Sequence, residues 1–226
     1  MSIIAYQAGT IEYNKAYHLQ KEIRRRIING EQEDTLLLLE HPPVITIGKS
    51  GKSENVLVSE AELSRGGISL FFTDRGGDVT YHGPGQVVAY PILDLSKRDK
   101  NAHKYVDELE EVIIRTLNDF SITGCCDDLH AGIWVNNEEI AAIGISLSKW
   151  IAIHGIALNV NVDLAPFSLI NPCGFTDRKA TSMSTLLSQE IGMKEVTNRF
   201  LSHFAEVFDI DIRVESLKAP MGGVYE

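Results

Sequence analysis

Short apolar stretches that often follow one another directly constrain the fold of this chain more than any other feature. Each is short and rich in Ile, Val and Leu, and turn-forming residues flank most of them, which is typical of β-strands. We predict strands over residues 35–40, 44–47, 68–73, 87–93, 132–135, 140–147 and 151–160. Because these strands come in runs and do not alternate strictly with helices, the sequence predicts an α+β fold with a mixed, mostly antiparallel sheet flanked by helices.

Helices are indicated by apolar residues at three-and-four spacing. Long amphipathic helices are predicted over residues 10–29 and 101–120, and a short one follows Ser59, which forms a capping box with Glu62. Asn136 and Asn137 are typical of a hairpin turn. Further elements are predicted as helices over residues 184–187 and 194–207 and a last strand over residues 210–214. No Gly/Ser/Pro-rich linker divides the chain, so we expect a single domain over residues 1–226.

The charge balance excludes one broad class of function. The net charge is −10, from 31 acidic and 21 basic residues. A general nucleic-acid binder needs clustered Lys and Arg for phosphate contacts, so we expect no nucleic-acid partner. The basic residues near Lys49 and Lys97 belong either to a solvated face or to a docking surface for an acidic partner.

The location follows from what the sequence lacks. No apolar run approaches the ~20 residues that a spanning helix needs, so we expect no membrane association. The first residues contain no basic stretch followed by an apolar segment, and the cysteine count of three is odd. Both features favour a reducing compartment, and we expect a cytoplasmic protein with reduced thiols.

One glycine-rich stretch, residues 75–86, is too unusual to serve as scaffold alone. Its sequence, Arg-Gly-Gly-Asp-Val-Thr-Tyr-His-Gly-Pro-Gly-Gln, leaves backbone N–H groups with little side-chain cover, so a ligand can approach them. Arg75, Tyr81 and His82 add polar groups. The stretch matches neither the phosphate loop nor the dinucleotide fingerprint. We expect it to be open to a ligand, and the alternative is a tight turn with buried polar groups.

A candidate nucleophile follows later in the chain. Cys173 lies between Pro172 and Gly174, which suits a thiolate that accepts an acyl group. Cys125 and Cys126 lack such a context, so we expect them to be buried and unreactive. No Cys-x-x-Cys or His-x-x-x-His pair is present, and we expect no metal site.

Taken together, these motifs resemble the octanoyltransferases of lipoate biosynthesis. The resemblance rests on segments that occur in the family's order and spacing: residues 40–48, 75–86, 90–95, 140–144, 154–159 and 172–174. It implies the fold shared by lipoate and biotin protein ligases and a transfer in two steps without ATP or another cofactor.

The resemblance also implies roles for particular residues. Cys173 would accept octanoate from acyl carrier protein as a thioester and pass it to a lysine. That lysine would belong to a lipoyl domain of a 2-oxoacid dehydrogenase or to the glycine-cleavage H protein. The residues implied to line the substrate pocket are Arg75, Gly76, Gly77, Asp78, Val79, Thr80, Tyr81, His82, Ala142, Ile143, Gly144, His154, Gly155, Ile156 and Ala157.

One position departs from the family pattern. The family has a lysine directly before the Ile-Ala-x-x-Gly segment, where it lowers the pKa of the cysteine, and this chain has Glu139. A carboxylate about 4 Å from a thiolate disfavours ionisation by roughly 4 kcal/mol at an effective dielectric near 20. Three explanations stay open: an engineered substitution, a variant that uses His82 or His154 as proton acceptor, or an inactive homologue that binds lipoyl domains or acyl carrier protein.

Overall fold

The computed structural model describes residues 2–127, 130–171 and 179–216. The helices are α1 (Tyr13–Ile28), α2 (Glu60–Arg65), α3 (Ala102–Asn118), α4 (Met183–Leu187) and α5 (Met193–Phe208). The first six strands are β1 (Ser2–Thr10), β2 (Thr35–Glu40), β3 (Val44–Ile47), β4 (Ser69–Phe72), β5 (Val79–His82) and β6 (Gln86–Ile92). The others are β7 (Cys125–Cys126), β8 (Gly132–Val135), β9 (Glu138–Ser148), β10 (Ile151–Asn159), β11 (Lys179–Ala180) and β12 (Asp211–Ser216).

A long mixed sheet forms the centre of the molecule. Its strand order is β12-β1-β2-β6-β10-β9-β8-β7, with β11 paired to β9. The pairs of β1 with β12 and with β2 are parallel, and every pair from β2 through β6, β10, β9 and β8 to β7 is antiparallel. The predicted α+β fold with a mostly antiparallel sheet is therefore confirmed.

Strand β2 is apolar along most of its length because both faces of the sheet are covered. Successive side chains of a strand point to opposite faces. Leu36 and Leu38 accordingly belong to the cluster beneath α3 and α5, whereas Leu37 and Leu39 belong to the cluster beneath α1. A strand buried on both faces reads as a continuous apolar run, which is what the sequence has here.

Helices α3 and α5 cover one face of the sheet. Leu109 and Ile113 of α3 and Phe200 and Phe204 of α5 are all fully buried in the same cluster. Helix α3 begins after Asn101, whose side chain accepts hydrogen bonds from the first free backbone N–H groups. The apolar spacing in the sequence therefore marks the side that faces the sheet.

Helix α1 lies on the opposite face and connects β1 to β2. The connection joins two parallel neighbours, which requires a crossover of this kind. The predicted start of this helix at residue 10 is wrong, because residues 2–10 form β1 and the helix begins at Tyr13. Strand β1 was not predicted because its partners, β2 and β12, lie far away in the sequence.

A second, smaller sheet lies beside α1 and has the order β4-β3-β5. The predicted capping box holds the start of α2 next to it, with Ser59 and Glu62 exchanging hydrogen bonds. The glycine-rich stretch is not loop throughout, because its residues 79–82 pair with β3 as strand β5. The predicted hairpin turn is confirmed, since Asn136 and Asn137 both have positive φ between β8 and β9.

None of the helices within the described ranges combines the length and apolar character needed to cross a membrane.

Candidate active site

A cavity of about 1100 Å³ lies between the long sheet and the small sheet. Its walls come from β9 and β10, from residues 75–80 and 82, and from the loop around residues 164–171. All but one of the residues predicted to line a pocket also line this cavity. Those that do are Arg75, Gly76, Gly77, Asp78, Val79, Thr80, His82, Ala142, Ile143, Gly144, His154, Gly155, Ile156 and Ala157. Segments far apart in the sequence thus meet at one place.

The exception is Tyr81. Side chains of β5 alternate between two faces, so Thr80 and His82 face one way and Tyr81 the other. The Tyr81 ring packs against Phe167 with 5.4 Å between ring centroids, and it belongs to the apolar cluster of the small sheet. Its predicted place in the pocket lining is wrong.

Small residues make close approach possible at the floor of the cavity. Gly144 of β9 pairs with Gly155 of β10, and Ala142 pairs with Ala157. A Cβ at position 144 would lie 2.9 Å from the carbonyl oxygen of Gly76 and 3.2 Å from Cδ of Arg75. Gly144 therefore leaves room for the Arg75 to Gly76 segment, which also bonds the sheet through Gly76 N–H and the Ile145 carbonyl at 2.8 Å.

Arg75 is a buried cation that is held by neutral groups. Its guanidinium donates to the Thr46 hydroxyl at 2.9 Å, to the Thr46 carbonyl at 2.8 Å and to the Gly76 carbonyl at 3.0 Å. Burial lowers its pKa, whereas the charges of Asp78 and Glu139 raise it. Arg75 is only 8% exposed, and it borders the cavity.

His41 and Tyr90 form a buried hydrogen-bonded pair beside the cavity. The Nδ1 atom of His41 lies 2.6 Å from the Ile11 carbonyl oxygen, which only accepts, so Nδ1 carries the proton. Nε2 then accepts from the Tyr90 hydroxyl at 2.7 Å. Burial lowers the pKa of His41 to about 4, and the ring is neutral at neutral pH.

His82 lies next to this pair and is also buried, at 5% exposure, and it lines the cavity. Its Nδ1 atom is 3.1 Å from the Gln86 side-chain oxygen. The Gln86 amide nitrogen donates to the Tyr81 carbonyl and to Asn159, which fixes its oxygen toward His82. Burial above all, with smaller contributions from the neighbouring His41 and Arg75, holds the pKa of His82 well below its usual value.

His154 occupies an unusual backbone position in the middle of β10. Its φ is +61°, a conformation that residues with a Cβ adopt at an energetic cost. The backbone N–H donates to the side-chain oxygen of Gln20 on α1 at 2.7 Å. Nε2 lies 2.8 Å from a carboxylate oxygen of Asp74, and the ring of Tyr17 stacks on the imidazole at 5.5 Å. The fold thus holds this ring from three sides.

Glu139 lies in β9 and lines the cavity. Cys173 lies outside the described residues, together with Pro172 and Gly174. The described residues nearest to it in the chain on either side, Asn171 and Lys179, both line the cavity. Lys179 and Ala180 pair with β9 at Glu138 and Glu139.

The other two cysteines contradict the expectation of burial. Cys125 and Cys126 are exposed on β7, which ends the long sheet within the described residues. Partial desolvation and the Glu110 carboxylate raise the pKa of Cys126 to about 12, so this thiol stays protonated. The prediction that it is unreactive does not depend on burial.

Lys97, one of the expected docking residues, has a structural partner. Its ammonium lies 3.2 Å from the buried carboxylate of Asp34 and 3.6 Å from Asp94. Among the described residues no group of three or more His, Cys, Asp or Glu side chains is placed to hold a metal ion.

Sequence reasoning missed Asp74, Gln20 and Tyr17. Asp74 directly precedes the glycine-rich stretch, and this position was its only available signal. Gln20 and Tyr17 lie on the buried side of an amphipathic helix, where a glutamine that interrupts the apolar pattern is the signal for Gln20. Their partner His154 is distant in sequence, so only the fold brings them together.

Comparison with known proteins agrees with this geometry. Residues 12–205 match the lipoyl protein ligase A/B catalytic domain. The chain belongs to that family. An octanoyltransferase of Caldicellulosiruptor saccharolyticus is 47% identical over 205 residues, which cover 90% of this chain and 87% of that protein. The resemblance drawn from the sequence motifs is therefore confirmed.

Solved structures of a lipoate-protein ligase and of a biotin protein ligase share the fold. A lipoate-protein ligase A bound with ATP superposes with a TM-score of 0.80 at 16% identity, over 96% of this chain and 90% of that one. A biotin protein ligase from Aquifex aeolicus in complex with biotin and ATP gives 0.58 at 15% identity, over 92% and 70%. The predicted biotin/lipoate protein ligase-like fold is confirmed.

Proposed function

We propose that this member of the lipoyl protein ligase A/B family is a cytoplasmic octanoyltransferase that works through Cys173. The thiolate attacks the thioester of octanoyl-acyl carrier protein, and the carrier leaves as a thiol. The amine of a lysine on a lipoyl domain or H protein then attacks the new thioester, and Cys173 is regenerated. This is covalent catalysis in two steps.

The observation that carries the proposal is the meeting of the predicted motifs around one cavity, with Cys173 in the segment between two of its lining residues. Ligand sites in proteins are mostly apolar cavities of about 300–1,000 Å³ with a few convergent polar groups. At about 1100 Å³ the cavity has room for an eight-carbon chain and for part of the group that delivers or receives it. Ile143, Ile156 and Trp134 supply apolar lining.

Charge in the cavity also supports the proposal. The Arg75 guanidinium is buried and bonded to neutral oxygens, and its described contacts include no ion pair. A buried cation stabilises a thiolate or the oxyanion of a tetrahedral intermediate more strongly than an exposed one does. Arg75 therefore offsets the negative charge that Glu139 brings in place of the family's lysine.

Intact-mass analysis after incubation with octanoyl-acyl carrier protein tests the proposal. We expect one added octanoyl group, mapped by peptide analysis to Cys173, and its loss on addition of a lipoyl domain. Cys173→Ala must abolish the adduct. Cys125→Ala and Cys126→Ala are matched controls that must keep it.

A chain that binds a lipoyl domain but never becomes acylated would contradict the proposal and favour an inactive binding homologue. The variant Glu139→Lys separates a slow enzyme from an inactive one. Because it replaces a negative charge with a positive one, the alkylation of Cys173 by iodoacetamide should reach its midpoint at lower pH. An unchanged midpoint would mean that Glu139 does not act on the thiol.

A further inference from the structure

Asp74 and His154 form a carboxylate–imidazole pair at the edge of the cavity. The imidazole is 1% exposed and the Asp74 side chain is 31% exposed, so the pair connects the buried ring to the surface. A carboxylate only accepts hydrogen bonds, so the neutral imidazole carries its proton on Nε2 and donates it to Asp74. Nδ1 then has a free lone pair, and this atom is buried without a hydrogen-bond partner.

Amide formation from a thioester needs a group of this kind. At neutral pH the acceptor lysine is an ammonium ion, whereas the products are a neutral amide and a thiol. When the neutral amine attacks the thioester carbon, a C–N bond forms, the C–S bond breaks and the nitrogen holds one proton too many. A base within reach must take that proton.

We propose, on the basis of the function proposed above, that Nδ1 of His154 accepts the proton which the attacking lysine amine loses, and that Asp74 is the positioning residue for this ring. The imidazolium that forms is stabilised by the Asp74 carboxylate. The proton then passes to the departing Cys173 thiolate, which becomes the thiol. No oxidant, reductant or metal is needed.

Another histidine that lines the cavity, His82, lacks what this role needs. Its Nδ1 partner is the neutral amide of Gln86, and its ring packs against His41 with 5.6 Å between centroids. A protonated His82 would also repel Arg75. Asp74, in contrast, stabilises positive charge on His154, and the hydrogen bond from His154 holds the pKa of the Asp74 carboxyl well below its usual value.

The charged and titratable groups around His154 come from four elements of the fold. Burial lowers the pKa of His154 and Asp74 raises it, while the charges of Arg75 and Arg24 lower it further. The ring is therefore unprotonated at neutral pH and ready to accept a proton. The groups facing it are Tyr17 and Arg24 of α1, Asp74 and Arg75 of the loop before β5, His82 of β5 and Tyr90 of β6.

Asp74→Asn tests the proposal in a single-turnover assay. The octanoyl-enzyme is first prepared and verified by mass, and its transfer to a lipoyl domain is then followed from pH 5 to 9. The variant should acylate Cys173 as the wild type does. Its transfer step should slow by roughly 10²-fold, and the acid limb of the profile should move to lower pH because His154 loses the charge that raises its pKa.

Asp119→Asn is the matched control. Asp119 also bonds a histidine Nε2, that of His203, at 2.9 Å, and its side chain is 29% exposed, but this pair lies between α3 and α5. This variant should transfer at the wild-type rate. Asp74→Glu should recover part of the activity lost in Asp74→Asn. A loss in Asp74→Asn that is equal at every pH, with no shift of the acid limb, would overturn the proposal.

Nitrogen NMR of the wild-type imidazole gives a test that needs no variant. We expect His154 at pH 7 as the neutral tautomer with the proton on Nε2. A ring that is charged, or that carries its proton on Nδ1, would overturn the assignment. Failure to form any octanoyl-enzyme would instead refute the proposed function, so the two failures are distinguishable.

Discussion

The two faces of the long sheet differ in what they bury. The face beneath α3 and α5 buries mainly aliphatic and aromatic side chains, such as Leu109, Ile113 and Phe204. The face toward α1 and the small sheet buries His41, His82, His154, Gln20 and Arg75 as well. Buried polar groups are costly unless they are bonded, and each of these has at least one bonded atom.

This difference teaches that stability and chemistry are divided between the two faces. The first face stabilises the fold by burying apolar side chains, and a cavity there is destabilising. The second holds polar groups in positions fixed by specific hydrogen bonds, and it is therefore sensitive to pH and to small displacements. Each prediction below tests one side of this division.

The largest effect is expected from Phe204→Ala. Phe204 is fully buried and stacks on Phe208 with 4.3 Å between centroids. Its loss leaves a cavity and should lower the free energy of unfolding by about 3–5 kcal/mol, measured by urea denaturation. Phe72→Ala, at a position that is 63% exposed, should change it by less than about 0.5 kcal/mol. If the folded fraction of Phe204→Ala transferred octanoate at a different rate from the wild type, stability and chemistry would not be divided between the two faces.

Acid should destabilise the polar face through His41. Its folded pKa of about 4 lies below the ordinary value of 6.5, so the unfolded chain binds the proton more tightly. Stability is therefore complete above about pH 6.5 and falls as the pH drops toward 4, by about 3 kcal/mol in total. Urea denaturation across this range should show a smaller loss for His41→Gln, which does not titrate. Equal losses in both proteins would contradict this account.

Gly144→Ala should impair the site while sparing the core. The added Cβ would meet Gly76 and Arg75 at 2.9 and 3.2 Å, so the loop must move away from the sheet. Displacement of a positioned group by about 1 Å costs roughly 10²-fold in rate, and we expect a loss of this order in octanoyl transfer. Gly192→Ala is the control, because its Cβ would be 3.8 Å from the nearest atom. Full activity in Gly144→Ala would show that the close contact is unimportant.

The smallest effect is expected from Ser59→Ala, at the start of α2. Loss of its cap should reduce stability by about 1 kcal/mol, seen as a fall of roughly 2–4 °C in the thermal midpoint. Ser64→Ala, within the same helix, should leave the midpoint unchanged. Because neither serine lines the cavity, transfer by the folded protein should not change in either variant.

Sequence patterns correctly predicted the elements that are stabilised by residues close together in the sequence. The capping box at Ser59 and the apolar side of α3 are written in adjacent residues, and both were predicted correctly. Strand β1 was missed because its residues become a strand through pairing with β2 and β12. Strand β5 was not predicted because it lies within a glycine-rich stretch, where the alternation of side chains typical of a strand is difficult to recognise.

The same distinction applies to the site. Motifs predicted which segments line the cavity, because each motif is continuous in sequence. They could not predict that Tyr81 points away, which follows from strand geometry, or that Asp74 bonds His154. Residues 74 and 154 share no pattern, and Asp74 was found only when the fold placed the two side chains 2.8 Å apart.

The parallel pairing of β1 with β12 has a consequence for biosynthesis. Ser2 pairs with Asp211, so β1 receives one of its neighbours only after every other described strand has been made. Until then β1 presents an unpaired edge, which is a site for wrong pairing with other chains. Folding of the complete sheet is thus postponed until β12 has been made, and contacts of such long sequence separation form slowly.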